Sequence, residues 1–259
     1  MFTFDNLIYC MIRYFIKLAF NGSNYHGWQM QENAHSVQAE INEKLSLIIG
    51  EPVNVVGCGR TDTGVHAREF FAHFETDKLA FELSDFVYKL NRFLPSDIVV
   101  FNVFQVDQNL HARFSAKSRT YRYYINKMKD PFKVGLTYYY HGPLDAHKMN
   151  VAANYLLDYN DFTSFSKLHT QTNTNLCSVT QANWEVDDGN YIFTISADRF
   201  LRNMVRAIAG TMVEIGKGKI EPEEMKRIIE AKDRSEAGFS VPAHGLFLEK
   251  VAYESLLVE

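Results

Sequence analysis

From Arg13 to Phe20 apolar and polar positions alternate, with Tyr14, Ile16, Leu18 and Phe20 on one face. A period of two is the mark of a strand with one side against a core. After Ser36 the period lengthens: Val37, Ile41, Leu45 and Ile48 fall on one side of a helix that Ser36 can cap and Gly50 can end. Strands are predicted over 53–57 and 69–76. A second helix is predicted from an N-cap at Ser84 through Phe86, Val87 and Leu90, stopping before Pro95, and a strand over 98–106 follows. The resulting order, β-α-β-β-α-β, is the ferredoxin-like or RRM-like pattern.

The second half repeats it. A strand is predicted over 120–127, a helix over 147–157 with Val151, Tyr155 and Leu156 turned inward, and a hairpin over 184–197 that turns at Asp188-Gly189. A helix over 200–215 carries Leu201, Val205, Ile208, Met212 and Ile215 on one face, a short helix opens at Pro222, and 245–253 reads as the closing strand. The expectation is an α+β chain of two ferredoxin-like halves, 1–112 and 113–259, whose antiparallel sheets join across a central cleft. Sheets of this kind, backed by helices on one side, hold unpaired RNA on the other.

With 259 residues and 46% hydrophobic content the chain can bury real cores. Cys10, Cys58 and Cys177 are widely spaced, which indicates neither a disulfide framework nor a zinc site and fits a reducing cytoplasm. Asp5, Arg13 and Lys17 break up the apolar start, so neither a leader peptide nor a membrane span is expected, and residues 1–10 read as an extension outside the fold. No role is assigned to the polar, threonine-rich stretch 167–177.

The net charge of −4 argues against a nucleic-acid partner until its distribution is considered. Residues 111–133 hold seven basic side chains and one acidic, a local +6, and 196–219 hold five against two, a local +3, which leaves −13 for the remainder. A basic surface on an acidic body attracts a phosphate backbone and keeps the protein dispersed.

Chemistry concentrates at Val56-Gly57-Cys58-Gly59-Arg60-Thr61-Asp62-Thr63-Gly64-Val65-His66-Ala67, a glycine-rich connection between two strands. The lysine of a phosphate-cradling Walker loop is missing, as are the alternating carboxylates of a calcium loop. Asp62-Thr63-Gly64 matches the aspartic-protease tripeptide, but that chemistry needs two aspartates sharing a proton, and one copy per chain would demand a two-fold dimer. Alternatively Asp62 only caps its own turn. His66 and His26 read as groups that position backbone, and Cys58 as a small buried residue.

Gly59-Arg60-Thr61-Asp62-Thr63-Gly64-Val65-His66-Ala67 resembles the signature of the TruA-type tRNA pseudouridine synthases. So do Tyr25-His26-Gly27-Trp28-Gln29 with Ser36-Val37-Gln38, His111-Ala112-Arg113-Phe114, Arg119-Thr120-Tyr121-Arg122-Tyr123, Phe200-Leu201-Arg202-Asn203-Met204-Val205-Arg206, and Pro242-Ala243-His244-Gly245-Leu246-Phe247-Leu248, in family order from about residue 14 to 253. The resemblance implies an isomerase that turns uridine into pseudouridine in the anticodon arm of tRNA, at positions 38–40, as a homodimer and with no cofactor or metal. It makes Asp62 the catalytic carboxylate, acting by addition to the ribose or by abstracting a ribose proton. Arg206 would be its partner, because an opposite charge within a few ångströms favours the ionised form. Tyr121 would meet the base and help remove a proton from its ring carbon, with Leu248 as the apolar contact beneath. Arg60, Arg113, Arg119 and Arg202 would contact RNA. A non-catalytic protein with two RRM-like halves is the alternative, and it would have no use for Asp62.

Overall fold

The alternating segment forms strand β1 (Ile12–Phe20), which pairs antiparallel with β3 (His66–Thr76) on one side and β4 (Ile98–Gln105) on the other. Ser36 caps α1 (Val37–Ile49) by accepting a bond from the Ala39 amide at 3.3 Å, and Gly50 ends it at φ +84°. Strand β2 (Val56–Gly57) pairs with β3, and α2 (Leu83–Phe93) leads into β4. The second half comprises β5 (Ala116–Asn126), β6 (Tyr138–Tyr139), α3 (Ala146–Tyr155), β7 (Val179–Asp187), β8 (Asn190–Ala197), α4 (Met204–Gly216), α5 (Glu224–Ala231) and β9 (Leu246–Tyr253). This computed structural model describes residues 11–77, 79, 82–167 and 174–254. Residues 1–10 and part of the threonine-rich stretch therefore lie outside the described residues.

Spatial order exposes the duplication. The first half runs β4-β1-β3 with β2 on the outer side of β3, and the second runs β9-β5-β8-β7, the same permutation with β9 in the place of β4. The two do not remain separate sheets. Near its end β3 holds β2 through Ala72 and His73, but at its start His66 and Ala67 pair in parallel with Phe247 and Leu248 of β9. Those two residue pairs merge both halves into one sheet of nine mostly antiparallel strands. Each half keeps its own core: Ile16, Leu18, Phe70 and Phe86 belong to the first, Phe162, Phe193, Ile208 and Met212 to the second. Tyr121 packs against both.

Four predicted details change. The strand expected over 53–57 shrinks to two residues because α1 takes its backbone bonds: Ser46 accepts from the Val53 amide, Asn42 from the Val55 amide, and Gln38 donates to the Val55 carbonyl. Helix α2 starts at Leu83, which packs against the first core, so Ser84 lies inside the first turn and makes no cap bond. In α3 the buried residues are Met149, Ala152 and Ala153, with Leu156 just beyond, while Val151 and Tyr155 are only half-buried. Small alanines let this helix approach β7 and α4 closely, an advantage that a search for large apolar side chains passes over. Helix α4 begins at Met204 instead of Phe200, because Asn203 adopts φ +68° and breaks the turn before it.

The sheet face turned away from the helices is not uniformly open in the first half. Phe15 and Phe71, out of phase with the core-facing Ile16 and Phe70, are buried beneath the Tyr253 ring at 5.7 and 5.3 Å. Beside them His73 is 5% exposed, stacks on Phe15 and accepts a hydrogen bond at Nδ1 from the Ala112 amide, fixing the segment between the halves. Burial, helped by His111 and Arg13, pulls its pKa from 6.5 to about 4. The unfolded chain therefore takes up this proton first, and stability should fall as pH drops from about 6.5 towards 4, by about 3 kcal/mol at the acid limit. Urea titrations across that range should show the decline, and His73→Gln should flatten it.

Candidate active site

The loop between β2 and β3 is rooted at both ends in different cores. The Cys58 amide donates to the Phe71 carbonyl at 2.7 Å and its side chain is buried in the first core, while Val65, three residues past Asp62, is buried in the second. Between these roots the Val65 amide donates to the Asp62 carbonyl at 3.1 Å, closing a tight turn in which Gly64 sits at φ +77°. That turn favours glycine, because other side chains clash with their own backbone at positive φ. A second loop braces the first. The Trp28 amide donates to Thr61 Oγ1 at 3.0 Å, and Gly27, at φ +88°, comes so near that an added Cβ would lie 2.2 Å from the Thr61 carbonyl oxygen. Trp28 itself is buried and stacked on Phe70 at 4.1 Å.

Asp62 is thus aimed at α4. Arg206, in the first turn of that helix, donates from Nη1 to Asp62 Oδ2 at 3.2 Å, and its Nε donates to the Val241 carbonyl at 2.8 Å. The second bond fixes the guanidinium plane, so the carboxylate meets a preset donor. About a fifth of each side chain is exposed, enough to admit a ligand without surrounding the pair with water. Arg202, inside the helix predicted over 200–215, lies before the observed helix begins, yet its Nε stands 3.8 Å from Asp62 Oδ1. At that distance the contact is one of charge and not a hydrogen bond. Arg202 is 60% exposed, free to exchange the carboxylate for an incoming phosphate.

Tyr121 lies on β5 between Ile195 of β8 and Leu248 of β9. The Phe200 ring meets it edge-on at 5.2 Å and 89°, a neighbour that sequence reasoning did not single out although it opens the Phe-Leu-Arg motif. Burial pushes the Tyr121 phenol well above the ordinary tyrosine range, with Asp62 adding to the rise and Arg119 opposing it. Leu248, 2% exposed, pairs with Ala67 at the seam and belongs to the first core. Asp62, Arg206, Arg202, Tyr121 and Leu248 therefore converge where the halves meet, each half supplying part of the set.

The remaining arginines divide. Arg60 and Arg113 are exposed and border, with Trp28, Gln38, Asn54 and Gly59, a cavity of about 170 Å³. Partial burial and then the charges of Arg60, Arg199 and Arg119 hold Arg113 below the usual arginine value, because several cations are crowded here. Arg119, grouped with the RNA contacts above, is differently engaged: both its Nη atoms are occupied by main-chain carbonyls.

His66 acts as the predicted backbone holder. It accepts at Nδ1 from the Gly22 amide at 3.0 Å, which leaves the proton on Nε2 to donate to the His244 carbonyl at 3.1 Å, and its ring stacks on Phe247. Burial lowers its pKa. Cys58 is fully buried, its thiol pushed up to about 12 by burial, far from a nucleophile's range. Among the described residues no group of three His, Cys, Asp or Glu side chains could hold a metal ion, and no helix is long and apolar enough to cross a membrane.

A fixed carboxylate beside a half-buried tyrosine, with arginines around them, suits chemistry on a polyanionic substrate, and comparison with known proteins agrees. Residues 152–254 match a family model described as tRNA pseudouridine synthase. A protein named tRNA pseudouridine synthase A from Parabacteroides distasonis is 51% identical over 243 residues, covering 94% of this chain and 96% of its own. Its namesake from Porphyromonas gingivalis is 51% identical over 249 residues, covering 95% and 98%. A more distant namesake from Staphylococcus aureus is 36% identical over 242 residues, covering 93% and 91%. With half its residues shared along nearly the whole length of such relatives, the chain belongs to the tRNA pseudouridine synthase family.

Proposed function

We propose that this protein isomerises uridine to pseudouridine in the anticodon arm of tRNA, at positions 38–40, with Asp62 as the group that acts on the nucleotide. The observation that carries the reading is the 3.2 Å contact between Asp62 and Arg206, two residues 144 positions apart, beside Tyr121. The reaction breaks the bond from ribose to ring nitrogen, turns the uracil in place and joins a ring carbon to the same sugar. Positive character develops at the anomeric carbon when the first bond breaks, or a ribose proton must leave, and a carboxylate serves either route. Arg206 fixes where that carboxylate points, which matters because a misplacement of ~1 Å costs about a hundredfold in rate.

Such chemistry requires the uridine to leave its stack. Tyr121 and Leu248 offer a ring and an apolar floor for the extruded base, with the Phe200 edge keeping the tyrosine upright. After rotation the ring carbon that joins the sugar must lose its proton. Burial keeps the Tyr121 phenol protonated, so it serves as a relay, its oxygen taking up that proton as its own O–H proton passes to a water. The exposed Arg60, Arg113 and Arg202 supply cations for the phosphates on either side of the flipped nucleotide.

In the same reading residues 1–112 and 113–259 are two units of one scaffold, each contributing a wall of the cleft. The protein works in the cytoplasm, where its tRNA is, and as a homodimer across which one tRNA reaches both subunits. Needing no redox change or donated group, the reaction runs without a cofactor.

Asp62→Ala should bind tRNA within about threefold of the unsubstituted protein but lose roughly 10⁴-fold in turnover, read as tritium release from uridine labelled at the ring carbon. Unchanged release would end the proposal. Arg206→Lys keeps the charge but not the paired donors, and should lower turnover about 10–100-fold with little effect on tRNA affinity. For the assembly, sedimentation at micromolar concentration should give about twice the chain mass of 29.9 kDa. A monomer throughout that range would rule the dimer out.

A further inference from the structure

Arg119 projects from β5 where Ala197 of β8 and Val251 of β9 flank it. Its Nη1 donates to the carbonyls of Ala116 at 3.0 Å and Asp198 at 2.7 Å, and its Nη2 to those of Cys58 at 3.0 Å and Arg113 at 2.7 Å. Cys58 is four residues before Asp62, at the root of its loop. Asp198 is eight before Arg206, at the root of the segment that enters α4. Arg113 lies in the connection between the halves, and Ala116 opens β5. We infer that Arg119 is a positioning residue for the isomerisation: one planar guanidinium ties together the roots of the two segments that bring Asp62 and Arg206 face to face.

The arrangement is specific to arginine. Four acceptors lie around one plane, in two pairs, matching the fork of N–H bonds on the two terminal nitrogens. A lysine presents its three donors from a single point and cannot reach both roots. Two of the anchored residues are themselves tied down, since the Cys58 amide donates to the Phe71 carbonyl, and the Asp198 carboxylate accepts from the Ser178 and Arg199 amides at 2.7 Å each. The clamp therefore joins rigid points and sets the distance between them. All four acceptors are neutral, so the positive charge remains uncancelled two residues from Tyr121, where it opposes the effect of burial on the phenol. With its Nη donors occupied, Arg119 has little left to offer a phosphate, which separates it from Arg60, Arg113 and Arg202.

The inference rests on the reading that Asp62 and Arg206 act on uridine, and the experiment separates the two. Single-turnover pseudouridine formation and tRNA affinity at several salt concentrations are measured for the unsubstituted protein and for Arg119→Lys. The expected result is a rate lowered about 30–100-fold at saturating protein, with affinity within about threefold and its salt dependence unchanged. A rate within about twofold of the unsubstituted protein overturns the proposal. So does a weakened affinity whose logarithmic salt slope is smaller by about one, the mark of a lost phosphate contact. If circular dichroism shows Arg119→Lys to be unfolded, Arg119→Gln, which keeps one planar amide donor group, takes its place. Loss of the fold in both makes Arg119 a folding residue and also overturns the proposal. Failure of the unsubstituted protein to form pseudouridine would sink the functional reading and not the clamp.

Discussion

Among the described residues the two halves of this chain pair strand to strand at only two positions, His66 with Phe247 and Ala67 with Leu248, and the meeting of Asp62 with Arg206 depends on that short parallel seam. Two residue pairs are too few to define an angle between sheets unaided. The surrounding contacts supply the rest. The His66 ring holds Gly22 on one side and His244 on the other, Val65 plugs into the second core, Leu248 and Val251 plug into the first, and Tyr121 touches both. Each is a buried group that would be exposed or unpaired if the halves moved apart, so the seam is enforced by packing and not by ladder length.

That enforcement explains why a carboxylate and a guanidinium from distant parts of the sequence can act as a unit. Asp62 is presented by a turn whose shape Gly64 and the Gly27–Thr61 approach leave no freedom to alter. Arg206 is presented by a helix whose start Asn203 fixes, and its guanidinium is oriented by the Val241 carbonyl before any ligand arrives. Preorganisation of this sort places the entropic cost of alignment in folding, where the two cores offset it, and not in the reaction.

Much of the architecture was legible in the sequence because its signals are local. Period-two alternation in β1, the Ser36 cap, the Gly50 stop and the Asp188-Gly189 turn each act within a few residues, and the repeated order of elements follows from them. What escaped involves competition or distance. The loss of most of the strand before Gly57 follows from three polar side chains of α1 claiming its bonds, and the register of α3 from two alanines facing a neighbouring helix. In the site, Asp62, Arg206 and Tyr121 were named from motifs, and geometry alone brings them together. The work of Arg119 was hidden because its partners are carbonyls, which carry no residue identity, and Thr61 and Phe200 were passed over for want of a charge to mark them.

The eight residues from Cys58 to Val65 cross from one core to the other with the Asp62 carboxylate near their middle. A tether strung between two bodies reports any change in their separation, however slight. Hinge opening, thermal loosening of either half or severing of the chain between them would all reach Asp62 before they reached the bulk of the structure. The contact between Asp62 and Arg206 is therefore the first geometry to be lost when the two cores part.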